Sequence, residues 1–349
     1  MDPISQAALG AAVAQTTAHH KLGFKVVFAG AIAGAMPDID VFFSIGQDYF
    51  TQLQLHRGVT HSLIFALLAG PLIGYLLWKR EAYAPPGQKN KQHHKYLKYW
   101  IAAMTLAVLS HPLLDVLTPY GTQLLAPFSD QRFAINSMPI IDPLYTLSLL
   151  TGLAIAWLYR TRDWVQQIGI ATMIVSCAYL ASGVYLGNAA TREAQHQLAE
   201  QGIINVQVQS FPTILQLHYR RVVARTPTED RVGYISMWNP CAIEWGITSR
   251  EPESNFTALA GNRKADIFEW FTMGWIHKTT RIVNGETQYR MYDLRYGTTN
   301  DSAESLFAIK VLPSGEQHKV SMSGTRRDPE VLFNNLVAQA YPDSCQGQA

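Results

Sequence analysis

Six residues with the chemistry to hold a divalent cation occupy three short segments in the N-terminal part of the chain. They are Asp38 and Asp40 in Pro37-Asp38-Ile39-Asp40, His56 and His61 in His56-Arg57-Gly58-Val59-Thr60-His61, and His111 and Asp115 in His111-Pro112-Leu113-Leu114-Asp115. Imidazoles and carboxylates together suit zinc, and also manganese or iron, while no thiol lies near any of the three segments. A helix would stack His111 and Asp115, four apart, on one face. Pro37 biases Met36 away from helix, and an extended segment would turn two carboxylates two apart the same way, so a helix break is expected there. His56 and His61 cannot share a helical face at a spacing of five. The expectation is a loop position for His56 and the first turn of the next helix for His61, with Thr60 as its N-cap.

Two further residues are candidates for catalysis. Asp142 stands before Pro143, a pattern that reads either as a helix cap with proline at the first helical position or as a general base beside the metal. Arg57 could stabilise an anionic substrate or a transition state, or form an ion pair with Asp38 or Asp40.

The elements that must position these residues are long apolar runs. Residues 22–45, 59–78, 99–117, 138–159 and 168–186 are each long enough to cross a bilayer, and 4–18 is a shorter sixth candidate, either a span or an amphipathic helix against the bundle. Lys79, Arg80, Lys89, Lys91, Lys95 and Lys98 share one connection, which the distribution of basic residues assigns to the cytoplasm. Alternation then puts Arg160 and Arg162 inside, and the chain after the last span outside. Counted along their runs at about 1.5 Å per residue, the Asp and His candidates from four segments reach a common depth near the outer edge of a hydrocarbon core about 30 Å thick.

From about residue 205 the pattern changes to short alternating segments, such as 217–223, 232–238, 289–294 and 306–311, separated by Gly, Pro and Asn. The chain thus reads as a helical membrane bundle of five or six spans with the metal site (1–187), a helical connector (188–204) and a small, mainly antiparallel β domain outside the cytoplasm (205–349). Trp238, Trp245, Trp270 and Trp275 are expected in that domain's core or at an interface. A Cys241–Cys345 bridge is possible there only in an oxidising compartment. The N-terminus lacks the basic region of a cleaved signal peptide and is expected to stay in the fold.

A formal net charge of +2 gives no reason to expect nucleic acid as a partner. The partners expected are membrane lipids and a small amphiphilic or phosphorylated substrate reaching a metal-dependent hydrolase site sideways. Two rivals remain: a metal or proton transporter, which also concentrates His and Asp in spans, and a membrane-anchored binding protein with a structural metal.

The three motifs, in this order and spacing, resemble the YdjM-type inner-membrane proteins, classed as membrane-bound metal-dependent hydrolases. The resemblance covers about residues 1–187, runs on through Asp115 to Gly121 and includes Ile141-Asp142-Pro143. It implies a plasma-membrane metal site at Asp38, Asp40, His56, His61, His111 and Asp115. The chain departs from the family near its start, where Ser5-Gln6 stands in place of Thr-His, which puts an N-terminal metal ligand in doubt. A more distant likeness to the helical His/Asp core of zinc-dependent phospholipases C is a fold-level analogy.

Overall fold

The computed structural model describes residues 1–82, 93–283, 285–312, 319–322 and 340–341. Lys89, Lys91 and Cys345 lie outside the described residues. The chain divides into two compact units, one of residues 1–135 and 139–182, the other of 136–138 and 183–349.

The first unit is helical. Helix α1 (Pro3–Leu22) starts at Asp2, whose carboxylate accepts from the Ser5 N–H at 2.9 Å, and has proline in its first turn. It is followed by α2 (Lys25–Ala35), a 3-10 turn (Met36–Ile39), α3 (Asp40–Phe43), α4 (Tyr49–Leu55), a second 3-10 turn (Val59–His61), α5 (Leu63–Ala82), α6 (Leu97–Val116), α7 (Pro143–Leu158) and α8 (Val165–Glu200). Four stretches are long and apolar enough to cross a membrane: Lys25–Phe43, Leu63–Glu81, Leu97–Val116 and Val165–Glu200. Helix α7 is as apolar but shorter, with 16 residues. The expected run at 4–18 belongs to α1, which is not among those four. Five consecutive residues of α1, Ala8 to Ala12, are buried, so it shows no exposed polar stripe there and packs inside the bundle against α2 and α6.

Small residues permit this packing. A Cβ on Gly10 would come within 2.4 Å of the Gly30 carbonyl oxygen and 2.7 Å of the Gly34 Cα, so α1 and α2 cross backbone to backbone. Gly70 and Gly74 of α5 meet Thr105 and Ile101 of α6 in the same manner.

Two expectations about local structure are corrected. Pro37 does not open an extended segment; it enters a 3-10 turn, whose first residues need no backbone donor, and Asp38 and Asp40 follow on tightened helix. Thr60 does not cap α5. Ser62 does, its hydroxyl accepting from the Phe65 N–H at 3.1 Å, while Thr60 Oγ1 lies 3.1 Å from His61 Nδ1.

In the second unit β1 (Gln207–Thr213), β2 (Gln216–Arg225), β3 (Glu229–Ser236) and β4 (Gly246–Ser249) form one antiparallel sheet. After α9 (Arg263–Phe271), β5 (Ile276–Val283), β6 (Glu286–Asp293), β7 (Ala308–Leu312) and β8 (Lys319–Met322) form a second. The alternation of β2 is hidden because both of its faces are covered. Val222 and Ala224 pack on Ala190, Ala194 and Leu198 of α8, and Val223 packs with Phe211, Val232 and Leu294 beside Trp275. The connector expected at 188–204 is helical up to Glu200, where it continues α8 as the end of one 36-residue helix. Of the four tryptophans, Trp245 and Trp275 pack on these clusters, whereas Trp238 is 71% exposed. Cys241 is disulfide-bonded and Cys177 is free.

Candidate metal centre

Asp38 and Asp40 arrive on the tightened segment that follows α2, His56 at the end of α4, His61 on the turn before α5, and His111 and Asp115 on α6. His61 and His111 are fully buried and Asp115 and Asp40 nearly so. His61 lies at the centre. Its Nε2 is 3.0 Å from His111 Nε2, 3.4 Å from Asp38 Oδ1 and 3.4 Å from Asp115 Oδ2, and its Nδ1 is 3.3 Å from Asp40 Oδ2. His111 Nε2 is 3.4 Å from Asp38 Oδ1 and 3.5 Å from Asp115 Oδ2.

The hydrogen bonds around the two rings decide where their lone pairs point. The Nδ1–H of His111 donates to the Gly34 carbonyl at 2.6 Å, so in the neutral ring Nε2 carries the lone pair. His61 Nδ1 faces the Asp40 carboxylate, and its Nε2 in turn faces Nε2 of His111. Two nitrogen lone pairs and two carboxylate oxygens then converge within 3.0–3.5 Å of one another. With both rings neutral, such a set repels itself unless a cation or a proton lies in its midst. Donor atoms about 2.0–2.2 Å from a tetrahedral zinc are about 3.3–3.6 Å apart, so the donor set fits a metal. Asp38 is shared between two groups of ligand size, Asp38/His61/His111 and Asp38/Asp40/His56. Its Oδ2 is buried without a hydrogen-bond partner among the described residues. His56 is the most open member, its side chain 30% exposed and its Nδ1 3.3 Å from Asp40 Oδ1.

The two catalytic candidates are placed differently. Arg57 is 2% exposed and has a φ of 60°, a left-handed conformation costly for an L-residue other than glycine. That conformation turns its N–H to Asp40 Oδ2 at 2.9 Å, while the guanidinium reaches Asp115 Oδ1 at 3.1 Å and Thr118 Oγ1 at 2.8 Å. The ion pair is thus with Asp115, not with Asp38 or Asp40. Asp142 caps α7: Oδ1 accepts from the Tyr145 N–H at 3.0 Å and Oδ2 from the Tyr179 hydroxyl at 2.8 Å. Neither oxygen bonds to a residue of the cluster.

Four participants carry no strong sequence signal. Gln6 donates to Asp115 Oδ1 at 3.1 Å and to the His111 carbonyl at 3.3 Å, so α1 does reach the cluster. The Met1 amino nitrogen also contacts Asp115. Tyr120 lies under the Arg57 guanidinium, 4.6 Å from ring centre to Cζ, and beside His56. The Gly34 carbonyl orients His111 and is invisible to residue type.

Residues 1–190 match the family described as YdjM inner membrane protein. Inner membrane protein YbcI of Escherichia coli (strain K12) is 37% identical over 120 residues, 32% of this chain and 62% of that protein. The uncharacterized protein YfhP of Bacillus subtilis (strain 168) is 29% identical over 133 residues, 37% of this chain and 36% of that protein. The match therefore spans about three fifths of one relative's length and about a third of the other's. No solved structure matches the chain.

Proposed function

Since the chain belongs to the YdjM inner membrane protein family, we propose that its helical unit is a metal-dependent hydrolase of the plasma membrane. The observation that carries this reading is the approach of His61 Nε2 and His111 Nε2 to 3.0 Å among the oxygens of Asp38 and Asp115. His61, His111, Asp38 and Asp115 would hold one divalent ion, zinc in first place and manganese or iron as alternatives, with Asp40 and His56 on the open side for a second. The metal would supply a Lewis acid for an ester or phosphoryl oxygen and would acidify a coordinated water.

The chain's own groups have separable tasks. Arg57 positions Asp115 through its guanidinium and Asp40 through its N–H. His111 is oriented by the Gly34 carbonyl. The proton acceptor on the substrate side is a carboxylate at the cluster, Asp38 or Asp40, with Asp142 as the alternative. Phe42 and Phe43, two and three residues after Asp40, are 71% and 65% exposed, which suits an amphiphilic substrate such as a phosphoester or ester with an apolar tail.

In this reading the site and the β unit lie on the extracytoplasmic side. The basic connection between α5 and α6 supports this, as does the disulfide at Cys241. Metal analysis of the purified chain, with turnover of generic phosphodiester and carboxyl ester substrates, tests the proposal. His111→Ala and Asp115→Ala are expected to insert into the membrane and to lose bound metal. Wild-type metal content in both variants would remove the ligand assignment.

A further inference from the structure

The second unit contains a charged cavity unrelated to the helical cluster. Its volume is about 140 Å³, and it is lined by residues of β2, β3 and β5 together with the segment after β4 and the last turn of α9. At its wall stands a buried dyad, His277 Nδ1 to Asp230 Oδ2 at 2.7 Å, with the other Asp230 oxygen held by Arg225 Nε at 2.7 Å. An ionised carboxylate only accepts, so Nδ1 of His277 carries a proton, and in the neutral ring Nε2 carries the lone pair. His277 is 1% exposed, and its Nε2 is buried with no hydrogen-bond partner among the described residues. Such an acceptor costs about 1–3 kcal/mol when unmet.

The charges around it are unequal. Four carboxylates, Asp230, Glu251, Glu253 and Glu269, face three basic groups, Arg225, Arg250 and Lys278, which leaves one negative charge with His277 neutral. Arg225 is engaged by Asp230 and the Ile276 carbonyl, and Lys278 by Glu253 and Glu269. Arg250 gives one nitrogen to the Thr226 carbonyl at 3.1 Å, and its side chain is partly exposed at the cavity. Among the described residues the surroundings thus offer an unmet acceptor in a net negative field and, on the same cavity, a guanidinium with donors to spare.

We propose that this cavity binds a small zwitterion carrying a primary ammonium and an anionic oxygen group. The ammonium donates to His277 Nε2 within the field of the carboxylates, and the anionic group accepts from Arg250. A water-sized occupant needs about 10–15 Å³, so the cavity admits on the order of ten heavy atoms. The same chemistry occurs in free phosphoethanolamine and in the headgroup of phosphatidylethanolamine.

The test is calorimetric titration of the full-length protein in detergent with phosphoethanolamine and with phosphocholine, whose quaternary nitrogen has no N–H to give. Phosphoethanolamine is expected to bind at least about tenfold tighter than phosphocholine, and Arg250→Gln to weaken it about tenfold or more. His277→Gln is expected to erase the preference; should it fail to fold, Arg250→Gln and the paired probes decide. Equal affinity for the two probes, or no binding of either in the millimolar range, overturns the proposal. Repeating the titration in nanodiscs with and without phosphatidylethanolamine assigns the source: competition marks a headgroup, equal affinity a free zwitterion. Metal content at the helical cluster is unaffected by either variant, so failure here is distinct from failure of the hydrolase reading.

Discussion

Arg57 offers a measurement in which backbone and side chain can be separated. Its guanidinium lies 3.1 Å from Asp115, and both groups are almost wholly buried. Arg57→Ala takes the guanidinium from that carboxylate, which keeps Gln6 and the Met1 amino group, so the loss is at most about 3–5 kcal/mol for a buried pair broken on one side. Alanine also keeps the φ of 60°, which costs an L-residue about 1–2 kcal/mol. Arg57→Gly removes the same guanidinium but relieves that conformation, at a cost of about 0.5–1 kcal/mol in unfolded-chain entropy. Glycine is therefore expected to be the more stable variant by about 0.5–1 kcal/mol, the reverse of the usual order within a helix. Arg57→Lys keeps the charge without the fork that spans Asp115 and Thr118 and should fall between wild type and alanine. The assay is the unfolding midpoint in detergent micelles titrated with dodecyl sulfate, with metal per chain measured on the same samples. Alanine and glycine variants of equal stability would refute the strain argument. An alanine variant with wild-type stability and metal would refute the dependence of Asp115 on Arg57.

Asp142→Asn keeps the capping oxygen of α7 and should fold with normal metal content; if Asp142 is the general base, turnover falls about 100-fold or more, and unchanged turnover assigns the proton to Asp38 or Asp40. A reporter fused after residue 349 is expected to be exported and one inserted at residue 88 to stay in the cytoplasm; the opposite pattern would reverse the proposed orientation. In the β unit burial pushes the Asp230 carboxyl up, but the hydrogen bonds it accepts from His277 and Arg225, with the charge of Arg225, outweigh it and hold the group below the usual carboxylate range. A group depressed on folding stabilises above its unfolded pKa and loses that contribution as pH falls through the folded one. The β unit should accordingly lose stability as pH falls from the ordinary carboxylate range towards the lowered pKa of Asp230, and Asp230→Asn should lower stability at neutral pH while flattening that acid limb; an unchanged limb would contradict the assignment.

The helical class of the first half and the antiparallel β class of the second were legible because apolar run length and alternation are direct consequences of what each element buries. The local geometry at the ligands was less so. Pro37 restricts the residue before it, but tolerance of proline in a first turn let helix continue as 3-10 through Asp38. Thr60 and Ser62 are both plausible caps by type, and only the turn at Val59–His61 decides for Ser62. The burial of α1 was hidden because alanine and glycine give little hydropathy, although they are the residues that let helices approach. Spacing identified His111 and Asp115 as partners, yet the cluster also uses a backbone carbonyl at Gly34 and the amide of Gln6, and neither advertises itself in residue type.

The crossing of α1 and α2 at Gly10, Gly30 and Gly34 acts as a gauge for the candidate ligands. Gly34 is pressed against Gly10 and at the same time holds the imidazole of His111 with its carbonyl, while Gln6 sits one helical turn before Gly10 and reaches Asp115. A one-residue insertion between Gly10 and Gln6 would rotate Gln6 by about 100° around α1, and any side chain at the three glycines would force the helices apart by more than a ligand sphere tolerates. For the proposed metal site, variation is therefore constrained in pairs: a change of helix spacing would be a change of donor set, and a new donor would enter through substitution at Gln6 sooner than through repacking of the crossing.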